Sequence, residues 1–96
     1  MAVVIKPTGE EVEVEPEDKR RGFTLRELYR LTECDTVDIV GLADGRRMVV
    51  DDDGLGKRLP LNPKATRLYQ EGRKFFPLYA PPIVGTVLIC SKREIK

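Results

Sequence analysis

The sequence predicts an α+β fold, and three observations point to it. The 96 residues are 41% hydrophobic and 34% charged, which gives one modest core and is too apolar for intrinsic disorder. Short β-branched runs bounded by turn residues alternate with two segments that begin with helix start signals. The expected order is β-β-α-β-β-α-β, a mostly antiparallel sheet with both helices packed on one face. We interpret residues 1–96 as a single domain.

The first elements are a hairpin and a helix. Residues 2–6 form an apolar strand, Pro7-Thr8-Gly9 is a turn, and Val12 and Val14 then alternate with glutamates that should face water. The segment from Thr24 to Glu27 is a capping box, with hydrophobic staple residues on either side of it. An apolar stripe beginning at Leu25 should face the core.

The second half predicts another hairpin, a shorter helix and a last strand. Asp44-Gly45 indicates a two-residue turn with positive φ at both positions. Asn62 and Pro63 are typical of a helix cap and first helical position, and residues 83–90 form a β-branched buried strand. Residues 92–96 are a charged tail.

An irregular segment, residues 75–82, precedes the last strand. Its three prolines exclude a helix or a central strand. Its four large apolar residues must therefore cover the core or lie exposed as an interface. These candidate partner-binding residues are Phe75, Phe76, Leu78 and Tyr79.

The residue types that are missing exclude most enzyme classes. With no histidine, the chain cannot supply a Ser–His or Cys–His pair or imidazole metal ligands. Cys34 and Cys90 form no CxxC motif, and we expect free buried thiols, although a disulfide between them stays open. We therefore expect no enzyme, no catalytic residue, no metal and no cofactor.

Basic and acidic residues occur in blocks despite a net charge of +1. Residues 19–34 hold five basic and two acidic groups, whereas residues 35–53 hold six aspartates and two arginines. A second hypothesis is therefore a nucleic-acid or nucleotide binder that uses a basic helix and the tail. Its candidate anion-binding residues are Lys19, Arg20, Arg21, Arg26 and Arg30.

Two further sequence patterns can be interpreted either as ligand-binding sites or as ordinary structural features. The triplet Asp51, Asp52 and Asp53 could bind a divalent cation, but its spacing lacks the alternating ligands of a calcium loop and favours a solvated turn. Asn62, close to Lys57 and Arg58, could mark an anion-binding helix N-terminus, but an ordinary helix cap explains the same residues.

Several sequence steps resemble one known family. They are the Asp-Gly-Leu step at residues 53–55, the Leu-Pro-Leu-Asn-Pro-x-Ala step at residues 59–65 and the Ile-Val-Gly-Thr-Val run at residues 83–87. Together they are similar to a family of small uncharacterised proteins from bacteriophages, plasmids and other mobile elements, a domain of unknown function. The chain departs from that pattern at residues 75–82 and in the basic residues 19–21. The resemblance implies a phage-like accessory protein and assigns no catalytic residue.

These observations favour a non-enzymatic accessory protein that binds another protein, as a host-factor modulator or in counter-defence. The partner is unknown; a host factor and a second copy of the chain both fit, and nucleic acid is the less favoured partner. No apolar run is long enough to cross a bilayer and the N-terminal residues are not a signal peptide, so we expect the host cytoplasm and no membrane partner.

Overall fold

The computed structural model describes residues 2–71 and 82–95. The elements, in chain order, are β1 (Ala2–Ile5), β2 (Glu11–Val14), α1 (Leu25–Thr32), β3 (Val37–Gly41), β4 (Arg47–Asp51), α2 (Pro63–Gln70), β5 (Val87–Cys90) and a short 3-10 helix (Lys92–Glu94). The α+β class and the order of strands and helices are as the sequence predicts.

The strands form one antiparallel sheet in the order β2-β1-β5-β4-β3. The last strand, β5, lies in the centre and joins the hairpin β1–β2 to the hairpin β3–β4. In this register Leu88 lies beside Val4 on one side and beside Val49 on the other. β2 and β3 are the two edges of the sheet.

The two faces of the sheet are both covered, and by different helices. Face A packs against α1, with a core of Ala2, Val4, Phe23, Leu28, Val49, Leu88 and Cys90. Face B packs against α2, with a core of Ile5, Leu42, Met48, Ala65, Val87 and Ile89. The expectation that both helices pack on one face is wrong, because the side chains of β1 and β5 are apolar on both faces and each face needs a cover.

The start of α1 follows the sequence pattern closely. Thr24 Oγ1 accepts a hydrogen bond from the Glu27 amide, and the Glu27 carboxylate accepts one from the Thr24 amide. The staple residues Phe23 and Leu28 are both buried. Leu25, in contrast, is 55% exposed and does not face the core.

The turn between β3 and β4 is longer than the sequence suggests. The backbone of Leu42 bonds to Arg46, so three residues lie between them, and Gly45 is the only one with positive φ, at 94°. This is a three-residue hairpin loop that ends in a left-handed glycine, and it replaces the expected two-residue turn.

The end of the described chain is packed against face A. The amide of Phe23 donates to Glu94 O at 2.7 Å, and Ile95 contacts the face A core. Residues 92–95 therefore hold the loop before α1 in place.

Candidate functional site

The four aromatic and apolar candidates, Phe75, Phe76, Leu78 and Tyr79, lie outside the described residues. The described chain stops at Glu71 and resumes at Pro82. Tyr69 and Pro82, which flank this gap, line one cavity of about 280 Å³ on face B. The described chain therefore resumes at the rim of this cavity, at Pro82.

We call this cavity the acidic cleft. Its apolar lining includes the half-buried side chains of Val40, Val50, Tyr69 and Ile83, which also pack against the face B core. Four aspartates contribute to its lining, namely Asp38, Asp51, Asp52 and Asp53. The cleft thus combines an apolar floor with an acidic rim.

Three carboxylates of the rim are exposed, namely those of Asp38, Asp52 and Asp53. Within residues 2–71 and 82–95, no lysine or arginine lies within ion-pair distance of any of them. Asp38 Oδ1 accepts a hydrogen bond from the Ile39 amide at 2.9 Å, which fixes its position on the edge strand. Their negative charge is therefore directed at solvent.

Asp51 differs from its neighbours because its side chain is only 2% exposed. Its Oδ2 accepts a hydrogen bond from Lys57 Nζ at 3.0 Å, and its Oδ1 accepts one from the Asp53 amide at 2.9 Å. Lys57 Nζ also donates to Asp35 Oδ1 at 3.0 Å. The expected solvated turn is therefore wrong for Asp51, whose carboxylate is buried and fully paired.

The position of Lys57 argues against a metal ion bound between Asp51 and Asp35. Its ammonium group lies between Asp51 and Asp35, where a cation shared by these carboxylates would lie. Hydrogen bonds from Lys57 hold the pKa of Asp35 below its usual value, and bonds to Asp35 and Asp51 raise the pKa of Lys57. In the described part of the chain, no three metal-ligating side chains are grouped closely enough to hold an ion.

Asn62 is a structural clamp as well as a helix cap. Its side chain is fully buried, and Oδ1 accepts a hydrogen bond from the Ala65 amide at 3.1 Å. Nδ2 donates to Ile5 O at 3.0 Å and to Gly85 O at 2.8 Å. Asn62 therefore connects the start of α2 to β1 and to Gly85, two residues before β5. All polar atoms of its side chain have hydrogen-bond partners within the protein.

The three sequence steps that carry the family resemblance pack on one another. A Cβ at Gly54 would lie 2.8 Å from Val84, and a Cβ at Gly85 would lie 2.8 Å from Leu59. Gly85 also has a φ of 76°, which favours glycine. We call residues 53–55, 59–65 and 83–87 the junction; it holds the cleft wall at Ile83 next to the turn that carries the aspartates.

The profile of the DUF3846 family, a domain of unknown function, matches residues 1–95. The chain belongs to the DUF3846 family. No curated protein matches the sequence, and no solved structure matches it. In this DUF3846 chain the three sequence steps build the junction through close contacts at Gly54 and Gly85.

The basic candidates of the DUF3846 chain fall into two groups. Lys19, Arg20 and Arg21 lie in the loop before α1; Lys19 is 3.6 Å from Glu15, and Arg21 is 3.7 Å from Asp18. Such exposed pairs contribute little to stability. These three residues do not line the depression that holds the arginines of the helix.

Arg26 and Arg30 lie on the exposed side of α1, where they line a shallow depression with Tyr29. Among the described residues, no carboxylate lies within ion-pair distance of either arginine. Arg30 nevertheless helps to lower the pKa of Glu27, whose carboxylate is held mainly by the amides of Thr24 and Glu17.

Both cysteines are free, so the disulfide left open by the sequence does not form. Cys90 is buried in the face A core, and burial raises the pKa of its thiol to about 12. Cys34 is only half-buried, and its Sγ lies 3.2 Å from Thr36 O. The expectation of two buried thiols therefore holds for Cys90 alone.

The acidic cleft is not predicted by the sequence, although the aspartates and the apolar residues that form it are both evident there. The aspartate triplet and the valines of β3 and β4 are close in sequence, but only the position of α2 on face B brings Tyr69 and Ile83 to the same place.

Along residues 2–71 and 82–95, neither helix has the length and apolarity needed to cross a membrane.

Proposed function

We propose that this DUF3846 chain is a non-enzymatic binding protein whose partner is another protein, held at the acidic cleft. The observation that supports it is the pairing of an apolar floor with three exposed aspartates that have no ion-pair partner within the described residues. Such a surface fits a partner segment that presents apolar side chains flanked by lysine or arginine.

Each part of the cleft has a separate task in this proposal. Burial of a partner's apolar side chains against Val50, Tyr69 and Ile83 supplies the affinity, at roughly 25 cal/mol per Å² of apolar surface removed from water. The aspartates at the rim attract a basic partner and disfavour acidic ones, so they act mainly on association rate and specificity.

The aromatic segment belongs to the same proposal. Phe75, Phe76, Leu78 and Tyr79 follow Tyr69 and precede Pro82, both of which line the cleft. Large aromatic side chains are typical anchors of protein interfaces. We assign these four residues to the partner contact, together with the cleft.

The biological setting is also a proposal. The resemblance to proteins of phages, plasmids and mobile elements favours an accessory role inside the host cytoplasm, in host-factor modulation or counter-defence. The lack of histidine favours binding over catalysis. A second copy of the chain is the alternative protein partner, and sedimentation velocity across a concentration range distinguishes a self-associating chain from a monomer.

The test is capture of a partner from host lysate with wild-type protein and two cleft variants. One variant carries Asp38→Lys and Asp52→Lys, and the other carries alanine at Phe75, Phe76 and Tyr79. Glu13→Lys, a single charge reversal outside the cleft, is the control, because Glu13 is exposed on β2 at the opposite edge of the sheet.

We expect the charge reversal to weaken capture at least tenfold, with weaker binding by wild type as salt rises. The aromatic variant should also lose the partner, whereas Glu13→Lys should keep it. Equal capture by all four proteins, with unchanged circular dichroism, would show that neither the cleft nor the aromatic segment is the interface.

A second candidate function is nucleic-acid or nucleotide binding through the basic helix. It is favoured by Arg26 and Arg30, which have no carboxylate within ion-pair distance among the described residues and which border Tyr29 in one depression. An aromatic ring beside two guanidinium groups suits stacking and phosphate contacts.

This candidate is tested by fluorescence anisotropy with labelled single-stranded RNA at low and high salt. Arg26→Ala with Arg30→Ala should abolish a steeply salt-dependent binding. Lys19→Ala with Arg21→Ala is the matched control, because Glu15 and Asp18 already pair with those two cations. Absence of binding by wild type at low salt eliminates the candidate.

A further inference from the structure

Face B carries a second cavity, on the opposite side of α2 from the acidic cleft. We call it the α2 groove. It has a volume of about 280 Å³, and its floor is formed by Val3, Ile5 and Ile89 of the central strands and by Leu68 of α2. Val3 and Leu68 are only half-buried, so α2 leaves part of this apolar sheet surface uncovered.

The rim of the α2 groove is rich in cations. Lys64 and Arg67 project from α2, and Arg46 comes from the turn before β4. Lys64 Nζ is already bound, at 2.8 Å from both Glu11 Oε2 and Gly9 O. The guanidinium of Arg46 donates from Nε to Asp44 Oδ2 at 2.7 Å.

Arg67 is the cation of the groove that has no carboxylate within ion-pair distance among the described residues. Glu71, the C-cap residue of α2, also lines the groove, yet it forms no ion pair with Arg67. A guanidinium beside an apolar floor has its planar donors available for a carboxylate or a phosphate.

We propose that the α2 groove binds a small amphiphilic anion, an apolar group that carries one carboxylate or phosphate. The apolar part lies on Val3, Ile89 and Leu68, and the anionic group lies at Arg67 with Arg46 beside it. The volume is near the lower limit for small-molecule sites, so the ligand is short. This proposal is independent of the protein partner at the acidic cleft.

Two substitutions of opposite charge at the groove should change its affinity for the anion in opposite directions. Arg67→Gln removes the guanidinium that is proposed to hold the anion and should weaken binding of the anion at least threefold. Glu71→Gln removes a nearby negative charge and should strengthen it. Both side chains are exposed, so neither substitution should disturb the fold.

The experiment is a titration followed by ¹H–¹⁵N correlation spectra of the full chain. The probes are sodium octanoate and octyl phosphate; acetate controls for the charge alone and octyltrimethylammonium for the chain alone. Arg93→Gln is the matched control, because Arg93 is an exposed arginine of the 3-10 helix that does not line the groove.

Saturable shifts of the Val3, Leu68 and Ile89 amides with octanoate or octyl phosphate support the proposal, provided that acetate and the ammonium probe give none. The anion that binds more tightly identifies the headgroup. Shifts that are unaffected by Arg67→Gln, equal shifts with the ammonium probe, or no saturable shifts with either anion overturn the proposal.

Discussion

The clamp at Asn62 provides the sharpest test of the fold, because it separates a buried clamp from an ordinary helix cap. Asparagine and aspartate are about equally good caps, so a plain cap should tolerate Asn62→Asp. In this structure the cap uses only Oδ1, whereas Nδ2 donates to the carbonyl oxygens of Ile5 and Gly85. An aspartate would place an oxygen against both carbonyls.

The magnitude follows from the three buried hydrogen bonds of the side chain. A typical bond contributes about 0.5–1.5 kcal/mol, and a buried group left unsatisfied costs about 1–3 kcal/mol. We therefore expect Asn62→Ala to lower the free energy of unfolding by about 3 kcal/mol, and Asn62→Asp by at least as much. For a domain of this size, that corresponds to a fall in Tm of roughly 12–24 °C.

Urea and thermal unfolding, followed by circular dichroism, measure the effect. The control is Thr24→Ala, which removes a partly exposed cap bond and should cost only about 1 kcal/mol. Protonation of the carboxyl introduced by Asn62→Asp restores one donor, so its deficit should be smaller near about pH 4 than at neutral pH. If Asn62→Asp is within about 1 kcal/mol of wild type, the clamp does not carry the stability that we assign to it.

Three further predictions concern backbone conformation, acid stability and thiol reactivity. Arg58 is exposed and has a φ of 56°, so Arg58→Gly should raise the urea midpoint by an amount equivalent to about 0.5–1 kcal/mol; an unchanged or lower midpoint would contradict this. Hydrogen bonds from backbone amides lower the pKa of Glu27, so its contribution to stability is present above the unfolded pKa of about 4.3 and is lost as the pH falls through the lower folded pKa. Urea unfolding at a series of acidic pH values should therefore show a shallower loss of stability for Glu27→Gln than for wild type, and identical slopes would exclude this role. Burial raises the pKa of Cys90 to about 12, so Ellman's reagent should titrate only Cys34 rapidly in the native protein and both thiols after unfolding; two rapid native thiols would show that Cys90 is accessible.

Local sequence signals predicted the element order well. The capping box at Thr24 and Glu27 and the cap at Asn62 depend on residues within four positions of each other, and the structure confirms both. Gly45 was correctly placed in a turn, but the loop length was wrong because the sequence does not fix which flanking residues pair.

The position of the helices was not predicted, although a signal for it was present. Residues 2–5 and 87–90 are apolar at every position, without the alternation of a strand that has one wet face. Uninterrupted apolar strands indicate burial on both faces, and therefore a helix on each side of the sheet. The alternation of β2 and the exposure of Val12 are instead typical of an edge strand.

The candidate site depends on contacts that no local pattern contains. The pairing of Lys57 with Asp51 and Asp35 spans up to 22 residues, and the bond from Asn62 to Ile5 spans 57. The sequence of three consecutive aspartates predicts that all three carboxylates are exposed to water. In the structure the Asp51 side chain is buried, because the following turn places Lys57 beside it. The assignment of a partner contact to Phe75, Phe76, Leu78 and Tyr79 stays a prediction.

The central place of β5 has a consequence for biosynthesis. Each outer hairpin can form as soon as its own residues leave the ribosome, yet neither has its inner neighbour until residues 87–90 have been made. Until then β1 and β4 expose unsatisfied edges, which are surfaces that invite wrong pairing between nascent chains. Cooperative folding must therefore wait until residues 87–90 have been synthesised, and a chain truncated before β5 should be recovered as aggregate or degraded by proteases.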